Sequence, residues 1–291
     1  MSDMTTVAIV GANGQLGSDL LEAFGGAFEA VPLSHADMDV SNRASVDACL
    51  ARVRPGIVVN TAALHDLKAC EKDPERSFAV NAAGARNLAL WCRDNGALLM
   101  HVSTDYVFDG NKGAPYVETD CALPLNQYGI TKLAGELSIS SVLDRHAIVR
   151  TGGLYGTHPC RGKPAKNFVE MFLELARGKE VLEFGGDEVN TPTFTGNLAE
   201  QMRVLAEQGA TGLFHATCEG ACSWFEFGEE ILRQAGSRTR LAKRPPGKPD
   251  PLAIKRPRYS VLENRRLKEL GINSFPDWKE ALRRYLAKRA A

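Results

Sequence analysis

The segment NQYGITKLAGE, residues 126–136, places Tyr128 four residues ahead of Lys132. Leu133, Ala134, Glu136 and Leu137 favour a helix, and no proline interrupts the run. On a helix, residues i and i+4 are surface neighbours. A phenol titrates at about 10 in water, which makes it a poor proton donor or acceptor at neutral pH. An ammonium one turn away favours the phenolate and brings the group closer to use. The pair therefore suits protonation of an alkoxide formed when a hydride reaches a carbonyl carbon. An aromatic ring resting on a lysine stem is also common on solvated helices, so the surroundings must decide.

Two further segments supply those surroundings. HVSTDYVFDG (101–110) puts Ser103 and Thr104 at the carboxyl end of a predicted strand, where ligands bind in open α/β sheets. Such a hydroxyl can orient a carbonyl, or simply cap the following turn. GANGQLG (11–17) joins the first predicted strand to the first predicted helix, with Gly11, Gly14 and Gly17 spaced G-x-x-G-x-x-G. Gly11 permits the tight turn, Gly14 lets a pyrophosphate approach the backbone, and Gly17 allows close helix–strand packing. The helix N-terminus favours the anion. A glycine-rich turn can serve packing alone, but this one sits where a dinucleotide motif must sit. After the second strand, LSHADMDV (33–40) offers Ser34 and His35 and no carboxylate before Asp37. An acid there would bind an adenosine ribose, and a base would accept a 2′-phosphate. The lack of an immediate acid leans towards NADPH. The lack of Lys or Arg keeps NADH open, and His35 reads more simply as a solvated loop residue than as a phosphate ligand.

The elements that must hold these groups follow from periodicity. TVAIVG (6–11), FEAVPL (28–33), GIVVNTAA (56–63), ALLMHVST (97–104) and HAIVRTGGLYG (146–156) read as strands. Helices are expected over 15–24, 42–53 and 73–96, and over the segment bearing Tyr128. Alternating strands and helices imply parallel strands joined by right-handed crossovers. Near-continuous apolar strands imply burial of both sheet faces. The expected fold class is α/β, a Rossmann-like doubly wound parallel sheet. Residues 1–155 would form the dinucleotide-binding domain, and residues 156–291 a smaller mixed lobe partly interleaved with it. In that lobe, helices are expected over 166–178, 223–236 and 277–289, and a strand over 212–217, with Ser223 as an N-cap.

Bulk properties narrow the alternatives. The chain has 291 residues, enough for a sizeable core. Lys plus Arg and Asp plus Glu both total 35. A neutral chain gives no electrostatic case for nucleic acid or an anionic membrane surface. No run reaches the ~18 apolar residues of a membrane span. A strand beginning almost at once leaves no room for a signal peptide, so a cytoplasmic, reduced protein is expected. The seven cysteines are scattered. Cys218 and Cys222 (C-x-x-x-C) have no second ligand pair, so they read as small thiols and no metal is expected. KRPPGKPDP (243–251) reads as a proline-rich connector.

Taken together, GANGQLG, NTAA (60–63), VSTDYVFDG and YGITK resemble the extended short-chain dehydrogenase/reductase superfamily. Within it the chain resembles the dTDP-4-dehydrorhamnose reductase family nearly end to end. The most specific segments are ETDCALPLNQYGITKLAGE (118–136) and RPRYSVLENRRLKELGI (256–272). The resemblance implies reduction of the C4 ketone of a nucleotide-activated 6-deoxy sugar by NADPH or NADH. It makes Tyr128 the proton donor, Lys132 its partner on the ribose, and Thr104 the third member. Cofactor contacts would come from Gly11, Asn13, Gly14, Gln15, Leu16 and Gly17, from Asp39 and Val40 at the adenine, from Ala62, Ala63 and Leu64, and from Val102. Thr104, Asp105, Tyr106 and Gly153 would face the sugar, with Asn167 and Arg256 towards the diphosphate. Related reductases are often dimers, so a homodimer comes into consideration. Three stretches depart from the family pattern. Its frequent RTSWVYG is RTGGLYG here, leaving Gly153 in place of tryptophan; its DQxGxPT is DEVNTPT (187–193); and YGTHPCRGKPAKNF (155–168) is longer and more basic. The same resemblance admits two other readings. One is an NADP-binding regulatory subunit like that of methionine adenosyltransferase. The other is an epimerase or dehydratase, for which Asp105 beside Thr104 is the relevant residue.

Overall fold

The structure, a computed structural model, describes residues 4–159, 166–244 and 253–290. The first half runs β1 (Thr6–Val10), α1 (Gln15–Phe24), β2 (Glu29–Leu33), α2 (Arg43–Val53), β3 (Ile57–Asn60), α3 (Leu67–Lys72), α4 (Pro74–Phe78), a π-helical turn (Ala79–Ala83), α5 (Gly84–Asn95), β4 (Leu98–Thr104), α6 (Gln127–Ser140) and β5 (His146–Thr151). The second half runs β6 (Leu154–Tyr155), α7 (Phe168–Ala176), β7 (Val181–Phe184), β8 (Val189–Asn190), β9 (Thr193–Phe194), α8 (Thr195–Glu207), β10 (Gly212–His215), β11 (Cys222–Ser223), α9 (Trp224–Gln234), β12 (Arg240–Lys243), α10 (Arg265–Glu269) and α11 (Trp278–Ala290).

Six strands pair in the order β10-β5-β4-β3-β1-β2, every pair parallel. All four side chains of β3 are buried, as a strand covered on both faces requires. One core cluster packs α1, α8 and the second-half helices on one face, and another packs α2 and α5 on the other. The chain leaves β1 for β2 on one side and returns to β3 on the other. The switch point between β1 and β3 is where such sheets open a ligand crevice. β10 and α8 come from beyond residue 156 yet join this sheet and pack on α1. Three two-stranded pairings, β6 with β9, β8 with β11 and β7 with β12, hold the remaining strands of the second half.

Local chemistry accounts for most boundaries. Asn42 caps α2 by accepting from Ser45 N, and Asn126 caps α6 by accepting from Gly129 N. Ser223 and Glu226 form a reciprocal capping box on α9. Gly96, at φ 68°, ends α5. Two expectations change. The single helix over 73–96 is interrupted at Ala79–Ala83, where Asn81 turns inward. Its carboxamide accepts from Leu64 N at 2.8 Å and donates to Leu64 O at 2.9 Å and to Thr131 Oγ1 at 3.0 Å. The strand over 146–156 stops at Thr151, because Gly153 takes φ 59° and β6 turns to pair with β9. Helix α8 gave no start signal, since no side chain caps it. Of the proline-rich connector, residues 245–251 lie outside the described residues, as does the 160–165 part of the basic stretch.

Candidate active site

The glycine loop closes the carboxyl end of β1. Gly11 has φ 82°, and a Cβ on it would lie 2.6 Å from Thr61 Oγ1. That hydroxyl donates to Val10 O at 2.8 Å and ties the two strands of the switch point together. At Gly17 a Cβ would meet Gly11 O and would lie 2.7 Å from Ala12 Cα, so this glycine serves helix–strand packing. Gly14 differs. It is the N-cap of α1, with no side-chain cap and no acid in the first turn. The first N–H groups of the helix thus face the crevice without a side-chain partner, an arrangement that suits a phosphate. Gln15 reaches across to Gly156 O and His158 O, Asn13 is exposed, and the Leu16 side chain lies in the core.

At the far end of the crevice, Asp37 accepts from Ser34 N at 2.8 Å and Ser34 Oγ at 2.6 Å, closing the turn after β2. Asp39 accepts from Ser41 N and Oγ, and these bonds hold its carboxyl below the usual range. Val40 is buried against Gly84, where a Cβ would stand 2.8 Å from Val40 Cγ2. Beyond β3, Ala62 N donates to Asn60 Oδ1, and Asn81 grips both backbone groups of Leu64; Ala63 lies between them, half-buried.

Thr104 ends β4, and α6 carries Tyr128 and Lys132 alongside it. Thr104 Oγ1 accepts from Tyr106 N and donates to Asp105 Oδ1, both at 3.1 Å. The Tyr128 phenol lies close enough to the same hydroxyl for Thr104 to favour its ionised form. Burial raises the phenol well above its ordinary value, and Thr104 opposes this. Tyr106 meets the Tyr128 ring edge-on at 6.1 Å. Lys132 is 2% exposed. Its Nζ donates to Val102 O at 2.7 Å and lies 3.0 Å from His101 Nε2. Burial lowers it to about 8, with Glu136 pulling the other way. Glu136 is one turn further on. It accepts both Arg150 Nε and Nη2, the latter at 2.6 Å, and Ser103 Oγ at 2.5 Å. This paired carboxylate backs the lysine. Ser103 therefore supports the helix from behind, while Thr104 faces the phenol.

The remaining expected residues divide. Asp105 is buried, pushed up to about 6 by desolvation although Ser260 Oγ and Thr104 Oγ1 both donate to it. Arg256 lines a cleft of about 1380 Å³ between α3 and the segment Gly186–Glu188, together with Lys68, Lys72 and Arg258. Its charge reaches Tyr106, whose phenol burial pushes up to about 12. Asn167 lies elsewhere. Its carboxamide caps α7, donates to Gly156 O at 2.6 Å and Tyr285 Oη at 3.1 Å, and is spent on those bonds. A Cβ on Gly153 would stand 2.8 Å from Asn190 Oδ1 and 3.0 Å from Thr191 O. Asn190 thus fills the space beside Gly153, and its Oδ1 finds no hydrogen-bond partner among the described residues. The two departures RTGGLYG and DEVNTPT are therefore neighbours in space. Cys218 and Cys222 are buried thiols, with burial pushing Cys218 up to about 12.

The sequence reading did not single out Asn60, Asn81, His101, Glu136, Arg150 or Ser260. Asn60 and His101 sit inside quoted motifs, but their partners come from other strands and no spacing rule connects them.

The sequence model of one family, the RmlD substrate binding domain, matches residues 4–291. A dTDP-4-keto-6-deoxy-D-glucose reductase of Streptomyces niveus is 36% identical over 276 residues, covering 94% of each chain. A dTDP-4-dehydrorhamnose reductase of Streptomyces griseus is 36% identical, covering 94% of this chain and 90% of its own. The crystal structure of dTDP-4-dehydrorhamnose reductase from Bacillus anthracis in complex with NADP superposes with a TM-score of 0.91 at 31% identity. That match covers 98% of this chain and 99% of the other.

Proposed function

The chain belongs to the family of the RmlD substrate binding domain, and on that premise we propose that it is an NAD(P)H-dependent reductase of a nucleotide-sugar ketone. The finer reading is reduction at C4 of dTDP-4-dehydro-L-rhamnose to dTDP-L-rhamnose. The observation that carries the reductase reading is the convergence of Thr104, Tyr128 and Lys132 on the sheet edge that also holds the uncapped glycine loop; the choice of sugar rests on the named relatives. The residues present suit a dinucleotide: Gly14 leaves helix N–H groups free for a pyrophosphate, and Ala62–Leu64 form the facing wall. When bound, the reduced nicotinamide supplies the hydride.

The protein's own groups do the rest. Burial keeps Tyr128 as the phenol, the form that can give a proton to the alkoxide oxygen. Thr104 holds the phenol in place and is itself held by Tyr106 N and Asp105. Lys132 is delivered from the same helix and braced by Val102 O. Arg256, Arg258, Lys68 and Lys72 offer cations to a diphosphate in the cleft. Asp105 is engaged by two hydroxyls, which favours a supporting role over the acid step of a dehydratase.

The test is absorbance at 340 nm with a dTDP-4-keto-6-deoxy-L-sugar generated in place, with NADPH and then NADH. Net oxidation is expected, falling by about 10²- to 10⁴-fold in Tyr128→Phe, the range for removal of a general acid. Dinucleotide binding should persist in that variant. Tight binding without oxidation of either cofactor would overturn the finer substrate reading, and a panel of other 4-keto nucleotide sugars then separates a reductase of another sugar from a binding subunit.

A further inference from the structure

Residues 255–260 form a strap between the cleft and the two elements that carry the catalytic hydroxyls. At one end, Asn126 Nδ2 donates to Lys255 O at 2.9 Å. The oxygen of the same carboxamide caps α6, accepting from Gly129 N at 2.9 Å, and Asn126 stands two residues ahead of Tyr128. At the other end, Ser260 Oγ donates to Asp105 Oδ2 at 2.6 Å, and Asp105 Oδ1 accepts from Thr104 Oγ1 at 3.1 Å. Asn126, Asp105 and Ser260 are each at most 5% exposed. Cutting one of these bonds therefore leaves a buried polar group unsatisfied. Between the two ends, Arg256 and Arg258 are exposed and line the cleft, while Pro257 is buried. A Cβ on Gly110 would lie 2.9 Å from Pro257 Cα and 2.7 Å from Arg258 N, so the strap rests directly on that backbone. It is also tied to the opposite wall of the cleft. Val189 N donates to Arg258 O and Ser260 N donates to Val189 O, both at 2.8 Å.

We infer that Asn126 and Ser260 are positioning residues for the reaction: they fasten the arginine strap to α6 and to Asp105, so that a diphosphate held by Arg256 and Arg258 also steadies Tyr128 and Thr104. The inference rests on the roles given above to the cleft and to the two hydroxyls. A diphosphate is remote from the ketone and takes no part in its chemistry. Its binding energy raises the rate only when it orders the groups around the reacting carbon. Arginine suits the grip, being always charged and able to meet a phosphate with two N–H groups. At the serine end, Thr104 has a single hydroxyl hydrogen and Asp105 receives it. The carboxylate thus sets the direction of that hydroxyl, and Ser260 sets the carboxylate. At the asparagine end, the cap fixes the first turn of α6, on which Tyr128 sits. A second route leads from Arg256 to the phenol: its charge reaches Tyr106, whose ring meets that of Tyr128 edge-on. That route acts through space and needs neither Asn126 nor Ser260.

Three variants of the full chain test the links. Asn126→Ser keeps a capping oxygen for α6 and removes the donor to Lys255 O. Ser260→Ala removes the donor to Asp105, and Ser260→Thr restores it. With NADPH and the dTDP-4-keto-6-deoxy-L-sugar, the first two should lose about 10- to 100-fold in kcat with KM little changed, the scale of a slight misplacement of catalytic groups. Ser260→Thr should recover most of that loss. A loss confined to KM in the first two, or equal loss in Ser260→Ala and Ser260→Thr, would overturn the inference. A second readout needs no turnover. Tyrosine labelled with carbon-13 at Cζ gives a signal for Tyr128, assigned by its absence in Tyr128→Phe. Adding dTDP to the NADP-loaded protein should shift that signal. In Asn126→Ser and Ser260→Ala, calorimetry should show dTDP still binding, with most of the shift gone. A full shift in both variants would refute the strap in favour of the route through Tyr106, and a wild-type protein that binds dTDP with no shift would refute any such link. A wild-type protein that does not bind dTDP would remove the reading of the cleft and the inference with it. The expected spectra in a protein that oxidises neither cofactor would support the strap and count against the reductase reading alone.

Discussion

Replacing either of two glycines in the same loop with alanine should damage different properties. At Gly14, φ −85° and ψ 172° suit alanine, and a Cβ would meet only Gly11 O, at 3.2 Å. A compatible Gly→Ala change gains about 0.4–1 kcal/mol through the unfolded chain, against roughly 0.5–1 kcal/mol lost at the cap, where alanine ranks well below glycine. Stability should stay within about 1 kcal/mol. For a chain of this length the unfolding entropy is roughly 0.6 kcal/mol/K, so the melting temperature should move by no more than about 2 °C. The new methyl would stand where the pyrophosphate must approach. Losing one charge-assisted hydrogen bond costs about 1.5–3 kcal/mol, or roughly 10- to 100-fold in dinucleotide affinity. At Gly17 the methyl would lie 2.7 Å from Ala12 Cα and 2.9 Å from Ala12 C, both backbone atoms that no rotamer change can move. Overpacking of this kind costs about 1–3 kcal/mol, or about 2–5 °C. Thermal melts and titration calorimetry with NADPH separate the effects. Wild-type affinity in Gly14→Ala, or equal loss of stability in both variants, would refute the division of labour argued for the loop.

Other expectations follow from the same geometry. Asp105 titrates at about 6 when folded and near 3.9 when unfolded, roughly two units apart. The folded state therefore holds the extra proton in that window. Stability should fall by up to about 3 kcal/mol as pH rises through it, and the fall should be absent in Asp105→Asn denaturant titrations. A wild-type stability that rises between pH 4 and 6.5, relative to that variant, would contradict the burial argument. Gly153→Trp places a side chain at positive φ against Asn190 and should destabilise by at least about 2 kcal/mol. Adding Asn190→Gly should recover part of the loss, with a coupling of about 0.5–3 kcal/mol; strict additivity would show that the two positions do not compete for space.

Much of this protein is written in local sequence. The strand–glycine loop–helix unit at residues 6–24 depends on short-range apolar periodicity and on glycine at three backbone positions, so it is legible without neighbours. The helical spacing that aligns Tyr128 with Lys132 is equally local, as are the caps at Asn42, Asn126 and Ser223. Because these features depend on residues within a few positions of one another, they also carry the family resemblance.

What local sequence leaves open depends on residues far apart in the chain. Asn81 breaks a predicted helix because its partners are Leu64 and Thr131, on other elements. Asn167, expected at the diphosphate, is instead consumed by Gly156 and Tyr285, the latter 118 residues away. Gly153 and Asn190 share one volume only after β6 pairs with β9. The chain Ala62–Asn60–His101–Lys132 exists only because β3 and β4 are adjacent and α6 packs over them. Sequence alone determined the residue types and backbone conformations from which the site is built. The tertiary structure decided their hydrogen-bond partners and burial, and through these the protonation each group can hold, since desolvation and pairing are properties of the packed surroundings.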